Sequence, residues 1–447
     1  MKSRTGRVYR VGESDVDLMG RGRVRMAVLP CVGMAGIGST AYAAVAAQHE
    51  LRAAHQWGAD TYWPMAVWAL LQTAVALPAG RLRDTGRLTA RTAVLLGASA
   101  TLLGYLALAW APDLRLACLG FAVFAGLGCG VVHATCLALP VRWFPERRGG
   151  WTALVEGGYV LGVVPFALLL GPDPGAGRHR FALTAVGAGL CLAVAAAGRY
   201  FRDPPDNWWP PHVDPLRGPA APAARRVLEK NPPAVRQFGL REAARTPALW
   251  VMGCCLLGTS GITVFGPLSL AAPGSGLRVS DRTVTAAVVL AAVVGGAGLG
   301  LVGLLSDRVG RRTALIAACL VLGTAQFGTA AAAQAGGGPL FLGCAVAVGL
   351  GGGAVLPLVA ALAADCFGEN RIASVYGLLS ASRGVAVLAG LGTSPAVFGA
   401  RYGHGAFVLA GCTGLACAVL ALFLKAPGRP SARRIVPNPH PLGEEMV

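Results

Sequence analysis

Twelve long apolar runs, separated by short polar segments, dominate this chain. They fall at 26–47, 62–80, 89–111, 115–140, 151–171, 181–199, 248–271, 283–305, 313–334, 339–364, 372–398 and 403–424. A helix of about 20 apolar residues crosses the hydrocarbon core of a bilayer. The runs are too long for strands and lack a period of two. In lipid, a lone segment satisfies its backbone groups only as a helix. The pattern therefore predicts an all-α membrane protein with twelve transmembrane helices. Polar stretches divide it into a tail (1–25), a six-helix bundle (26–199), a central loop (200–247), a second six-helix bundle (248–425) and a tail (426–447).

The two bundles repeat each other. Gly80-x-Leu82-x-Asp84 returns as Gly303-x-Leu305-x-Asp307, Gly126-Leu-Gly-Cys-Gly130 as Gly349-Leu-Gly-Gly-Gly353, and Phe144-x-Glu146-x-Arg148 as Phe367-x-Glu369-x-Arg371. Each pair is offset by 223 residues (303 − 80, 349 − 126, 367 − 144). Three matches in order at one offset predict two pseudo-symmetric bundles. Duplicated membrane units with a site between them are the plan of secondary transporters.

Composition agrees. The chain is 54% hydrophobic and 13% charged, with mean hydropathy +0.57. The net charge of +18 would suit nucleic acid, but its placement argues otherwise. With both termini inside, about 31 Lys and Arg lie in inner segments and about 7 outside, the positive-inside bias of a multi-pass protein in the cytoplasmic membrane. No nucleic-acid partner is expected. The twelve Cys sit mostly in apolar runs and read as small hydrophobes, with no CxxC pair. The N-terminus resembles a signal peptide ending at Ala41-Tyr42-Ala43, but the repeat needs that run as an uncleaved first helix. The Pro-rich central loop is expected to be mostly irregular, as is the tail after Lys425. Phe238–Arg245 reads as either a short amphipathic helix or the start of the seventh span.

Six plus six helices around a central loop resemble the major facilitator superfamily. Gly303-Leu-Leu-Ser-Asp307-Arg308-Val-Gly310-Arg311-Arg312 is similar to its signature loop, and Gly80-Arg-Leu-Arg-Asp84-Thr-Gly86-Arg87 to a degenerate copy one residue shorter. Arg142-Trp-Phe-Pro-Glu146-Arg-Arg-Gly149, Pro204-Pro-Asp-Asn-Trp208-Trp-Pro210, Glu242-Ala-Ala-Arg-Thr246-Pro-Ala-Leu-Trp250 and Tyr376-Gly-Leu-Leu-Ser-Ala-Ser-Arg383-Gly384 resemble the oxalate/formate antiporter-like branch, which is related to monocarboxylate transporters. The resemblance implies the major facilitator fold, alternating access, a small organic anion as cargo and a monomer. It also implies gating carboxylates. Asp84 would meet the start of the eleventh span and Asp307 that of the fifth, where the helix dipole favours an anion. Arg308, Arg311 and Arg312 would supply ion pairs or simply positive-inside charge.

Arg383 is the leading candidate for binding. An Arg near mid-membrane costs roughly 2.5–3.5 kcal/mol or more, so it needs a partner or a task. Its planar fork matches a carboxylate. The resemblance places there a Lys that binds the anionic substrate. The alternative is a purely structural pairing. Oxalate-exchanging members use a second basic residue on the eighth span, and none lies between Thr283 and Leu305; a monocarboxylate fits better. Glu156 on the fifth span lies four residues before Val160, the repeat counterpart of Arg383 (383 − 223 = 160). It is the candidate for proton coupling, or else a static counter-ion. His133 is a candidate for coupling or binding, with packing as its plainer role. Tyr159, Thr259, Gln72 and Gln326 are candidate neutral contacts.

Other chemistry finds no support. Gly298-x-Gly-x-x-Gly303 mimics a dinucleotide fingerprint but lies inside an apolar run with no preceding strand. The only lysines, Lys2, Lys230 and Lys425, follow no GxxxxG loop, which argues against ATP-driven transport by this chain. HExxH and GxSxG are absent. No enzyme activity, cofactor or metal is expected. The expected function is secondary transport of a small mono- or dicarboxylate, exchanged for a counter-anion or coupled to protons. Two rivals remain. A proton-driven exporter of a drug or natural product predicts Arg383 and Glu156 paired in a wide apolar cavity. A membrane sensor would need a signalling domain that the tails are too short to hold.

Overall fold

The computed structural model describes residues 8–55, 63–111, 114–162, 164, 178–213, 222–270, 281–392 and 403–427. The apolar runs form helices. In the first half these are α2 (Arg25–His55), α3 (Trp63–Ala74) continued by α4 (Ala76–Asp84), and α5 (Ala90–Trp110). Then come α6 (Leu114–Gly120) running through a π segment (Phe121–Ala125) into α7 (Gly126–Trp143), followed by α8 (Arg148–Leu161) and α9 (Arg178–Gly198). The second half contains α12 (Pro247–Leu270), α13 (Asp281–Val309), α14 (Arg311–Ala335), α15 (Gly338–Phe367), α16 (Ile372–Gly392) and α17 (Gly403–Ala421). Short elements complete the chain: β1 (Arg10–Val11), α1 (Asp15–Met19), β2 (Trp208–Trp209), α10 (Pro222–Lys230) and α11 (Leu240–Ala244). Over their described residues, six helices are each long and apolar enough to cross a membrane. Residues 62, 163, 165–171, 271 and 393–398 of the expected spans, and the tail beyond 427, lie outside the described residues.

Local chemistry explains the breaks. Pro78 has no N–H to give Ala74, so the second span divides at Val75. Thr89 caps α5 by accepting from the Thr92 amide at 3.2 Å. Both signature loops turn on a glycine with positive φ, Gly310 at 102° and Gly86 at 72°. The shortened first loop therefore keeps the bend of the second.

Within the halves, α2 packs on α7, α8 and α9, while α14 packs on α15 and α17. Between the halves, α8 runs along α13 and α4 along α16. Small residues allow backbone contact there. A Cβ on Gly157 would stand 2.5 Å from the Gly296 carbonyl, and one on Gly377 2.5 Å from Leu77 Cα.

The central region departs from the expected irregular loop. β1 and β2 form a parallel two-stranded ladder, Arg10 opposite Trp208 and Val11 opposite Trp209. Trp208 Nε1 donates to the Glu13 carbonyl at 3.0 Å, and Trp143 packs on Trp208 at 5.0 Å between ring centroids. The Asn207 amide donates to Asn370 Oδ1 at 2.9 Å and Trp209 Nε1 to Glu369 Oε1 at 3.4 Å, joining the ladder to the second half. α10 ends beside Asn231, which donates to the Asp307 carbonyl and accepts from the Arg311 amide, both at 2.8 Å. Phe238–Arg245 forms α11, separate from α12.

Candidate functional site

A cavity of about 380 Å³ lies between the halves. The first half lines it with Glu156, Tyr159 and Val160 of α8; α12 to α17 supply the remainder. Its walls are mainly apolar, with Thr259, Ser260, Thr263, Gln326 and Thr329 adding polar points. Glu156 and Arg383 are its charged lining residues.

Arg383 lies eleven residues after the first residue of α16 and is partly exposed toward this space. Among the described residues it joins no ion pair. The Tyr376 hydroxyl, two turns before it on α16, lies within its reach. Glu156 is 5% exposed and meets His133 instead, with Oε2 at 3.3 Å from Nε2. These two atoms are out of line for a hydrogen bond, so each remains without one. His133 Nδ1 and the Tyr376 hydroxyl are hydrogen-bonded at 3.2 Å, the imidazole tautomer setting which of them donates. Gln72 Nε2 donates to the Tyr159 hydroxyl at 3.3 Å, and Tyr159 stands edge-on to the His133 ring at 5.2 Å. The structure thus gathers Glu156, His133 and Tyr376 behind the cavity wall, near Arg383, and sets Tyr159 and Gln72 beside them.

Of the sequence candidates, Arg383, Glu156, Tyr159, Thr259 and Gln326 line the cavity. His133 does not. It is 4% exposed and sits one layer behind Glu156. Thr259 spends its hydroxyl proton on the Cys255 carbonyl at 2.7 Å and offers only lone pairs inward. Gln326 is 1% exposed and its Oε1 has no partner. Tyr376 stood in a sequence motif without a role. The only available signal was its helical spacing from Arg383, two turns along one face.

A second network closes the end that carries the signature loops. The Asp84 carboxylate accepts from the Ser374 amide at 2.8 Å, in the first turn of α16. Burial raises the Asp84 carboxyl above the usual range, partly offset by that bond. Asp307 accepts from the Gly149 and Gly150 amides at 3.0 and 2.9 Å, at the start of α8, and from Arg311 at 2.9 Å. Arg311 also pairs with Asp365. Arg148 bridges Asp365 at 2.6 Å and Glu369 at 2.9 Å, and Arg23 holds Glu146 at 2.6 Å. Arg308 is exposed and joins no ion pair among the described residues. Arg312 donates to the Ala421 and Leu422 carbonyls at the end of α17 rather than to a carboxylate. Asp365, Glu369 and Arg148 were given no role from sequence. The repeated Phe-x-Glu-x-Arg pattern carried two of the three.

The profile of the Major Facilitator Superfamily matches residues 28–390 and again 270–444. The chain belongs to the Major Facilitator Superfamily. It is therefore a multi-pass membrane transporter and not an enzyme. Among its relatives is the oxalate:formate antiporter of Oxalobacter formigenes, 25% identical over 325 residues, or 70% of this chain and 71% of that one. Human monocarboxylate transporter 11 is 30% identical over 328 residues, 72% of this chain and 65% of that one. The fold matches the crystal structure of the E. coli fucose:proton symporter FucP with a TM-score of 0.63 at 14% identity, over 91% of this chain and 100% of that one. The human organic anion transporter MFSD10 matches with a TM-score of 0.65 at 14% identity, over 90% and 100%. At such identities these structures speak for the fold alone.

Proposed function

We propose that this superfamily member carries a small organic anion, best a monocarboxylate, through the cavity between its halves. The observation that carries the reading is Arg383, a guanidinium facing the cavity with no carboxylate paired to it among the described residues. In a low-dielectric setting such a charge favours a bound anion far more than in water. A monocarboxylate would take the fork, and the apolar walls would cover the rest of the cargo. Among the described lining residues there is no second fixed cation for a dicarboxylate. The names of the antiporter and monocarboxylate-transporter relatives support the same class.

Asp84 and Asp307 serve as latches for the closed signature-loop end, with Arg311 and Arg148 behind them. The cavity then loads from the opposite side, and rocking of the halves exposes it alternately. The positive-inside bias supports a cytoplasmic latched end and cytoplasmic termini in a cell-membrane carrier, which would act as a monomer. The exporter reading calls for Arg383 and Glu156 to neutralise each other; Glu156 instead faces His133, which counts against it.

The test is a liposome screen with purified protein and labelled formate, lactate, pyruvate and oxalate. Uptake or exchange of a monocarboxylate, lost in Arg383→Gln and retained in part by Arg383→Lys, is expected. Export of a lipophilic cation with no carboxylate transport would overturn the assignment, as would full anion affinity in Arg383→Gln.

A further inference from the structure

We infer that the cavity reaches into the second bundle as a side pocket for a neutral hydrogen-bond donor on the cargo, with Gln326 as its specificity-determining residue. The inference rests on the anion reading above, and deepens it by naming the substrate class: a monocarboxylate that carries a hydroxyl or amide remote from its carboxylate.

An orphaned acceptor points there. Gln326 of α14 is 1% exposed and borders the cavity, and its Oε1 has no hydrogen-bond partner among the described residues. An acceptor buried unpaired is costly, and native proteins keep few of them. The scaffold does not require it. The internal repeat places Leu102 or Leu103 at the equivalent point of α5 (326 − 224 or 326 − 223, the first signature loop being one residue shorter). The first bundle is built with an apolar side chain at that point. The amide therefore belongs to the task of the second bundle rather than to its architecture.

The neighbouring side chains share its bias. Thr329, one turn on along α14, gives its hydroxyl proton to the Ala325 carbonyl at 2.8 Å. On α12, Thr259 gives its proton to the Cys255 carbonyl at 2.7 Å and Thr263 to the Ser260 carbonyl at 3.0 Å. These threonines line the cavity with their protons already spent, so toward cargo they can only accept. Ser260 adds a hydroxyl that can donate or accept. All of these side chains are neutral, so an ammonium seated among them would be buried without a counter-charge, far costlier than a neutral donor. Glu156, the charged acceptor of the lining, lies on α8 of the first half and faces His133.

The placement suits two contacts on one molecule. Gln326 lies 15 residues after the first residue of α14 (326 − 311), and Arg383 lies 11 after that of α16 (383 − 372). Both helices start at the signature-loop end, so the amide lies about 6 Å further from that end at 1.5 Å per residue. One cavity of about 380 Å³, within the range of small-ligand sites, contains both in its lining. An anion held by Arg383 can thus present a donor to Gln326 from the far end of a short chain, while Phe341 and Phe407 offer apolar surface to the chain itself.

The test measures calorimetric binding to the purified full-length protein with butyrate, γ-hydroxybutyrate and γ-aminobutyrate, and with the uncharged butanediol in parallel. Wild-type protein should bind γ-hydroxybutyrate about tenfold or more tighter than butyrate, because only the hydroxyl fills the buried acceptor. Gln326→Leu, and the closer-shaped Gln326→Met, should bring the two acids within about twofold of each other while butyrate affinity is retained. Arg383→Gln should weaken both acids together. Equal binding of the two acids by wild-type protein, or a preference that survives both Gln326 variants, overturns the side pocket and leaves the anion reading standing. Tighter binding of γ-aminobutyrate than of γ-hydroxybutyrate overturns the neutral donor. If no acid binds, the diol decides: diol binding that both Gln326 variants lose keeps the pocket and removes the anion reading, and no such binding removes both.

Discussion

Replacing Asp307 by Asn should loosen the latched end by an amount that can be worked from its bonds. The carboxylate accepts two amides at the start of α8, from Gly149 and Gly150, at 3.0 and 2.9 Å. Asn keeps one oxygen and turns an NH2 toward the other donor. One charge-assisted hydrogen bond is lost, about 1.5–3 kcal/mol, together with about 0.3–1 kcal/mol of helix-dipole attraction. Arg311 keeps Asp365 as a partner, so it adds no stranded charge. The sum is about 3 kcal/mol, and at 1.4 kcal/mol per decade the closed-to-open ratio falls roughly 100-fold. Amide hydrogen exchange reads this directly, because Gly149 and Gly150 are released only when the end opens. Their exchange should accelerate by about two orders of magnitude. Asp84→Asn breaks a single amide contact, to Ser374, from a carboxyl whose burial already disfavours its ionised form. About tenfold is expected there. Exchange at Gly149 and Gly150 unchanged within twofold in Asp307→Asn would refute the latch, and a larger effect from Asp84→Asn would refute the ranking.

Three further outcomes follow from the same contacts. Arg148→Gln takes one cation from the buried carboxylates Asp365 and Glu369, leaving Asp365 to Arg311 and Glu369 to the Trp209 indole; the lost charge-assisted bonds, about 1.5–3 kcal/mol each, should lower the thermal unfolding midpoint well below that of the surface variant Arg225→Gln. Gly377→Ala puts a Cβ 2.5 Å from Leu77 Cα, so α16 cannot close on α4, and amide exchange at Ser374 should rise while the fold persists. Gln326→Leu removes an amide whose Oε1 has no partner. An unsatisfied buried group costs about 1–3 kcal/mol, so the empty protein should melt higher; if the amide serves cargo, transport affinity should drop in the same variant.

The membrane architecture was legible because lipid enforces it. A run such as 339–364 admits one backbone solution, and α15 spans Gly338–Phe367. The repeat placed Asp84 and Asp307 at equivalent ends, and each meets the helix start expected of it. Arg383 and Glu156 stood out because charge in an apolar run is costly. What stayed hidden depended on distance in sequence. Nothing local tells Glu156 to face His133 rather than Arg383, because the choice depends on how α7, α8 and α16 converge. Nor could Arg10–Val11 and Trp208–Trp209 be recognised as strands, since two residues hold no period and the pairing partner is remote. Nor does anything local show that the turn of α7 carrying His133 faces Glu156 rather than the cavity.

That two-stranded ladder has a consequence for biosynthesis. Arg10 pairs with Trp208, a separation of 198 residues (208 − 10), so the segment at Arg10–Val11 finds its seat only after the ribosome has passed Trp208, close to the chain's midpoint. Until then it waits without its partner strand while the first six spans insert. Its anchoring to Asn370 through Asn207 comes later still, once the tenth span is made. Arg10 and Val11 thus dock later than the spans that immediately follow them, and their seating ties the first bundle to the second.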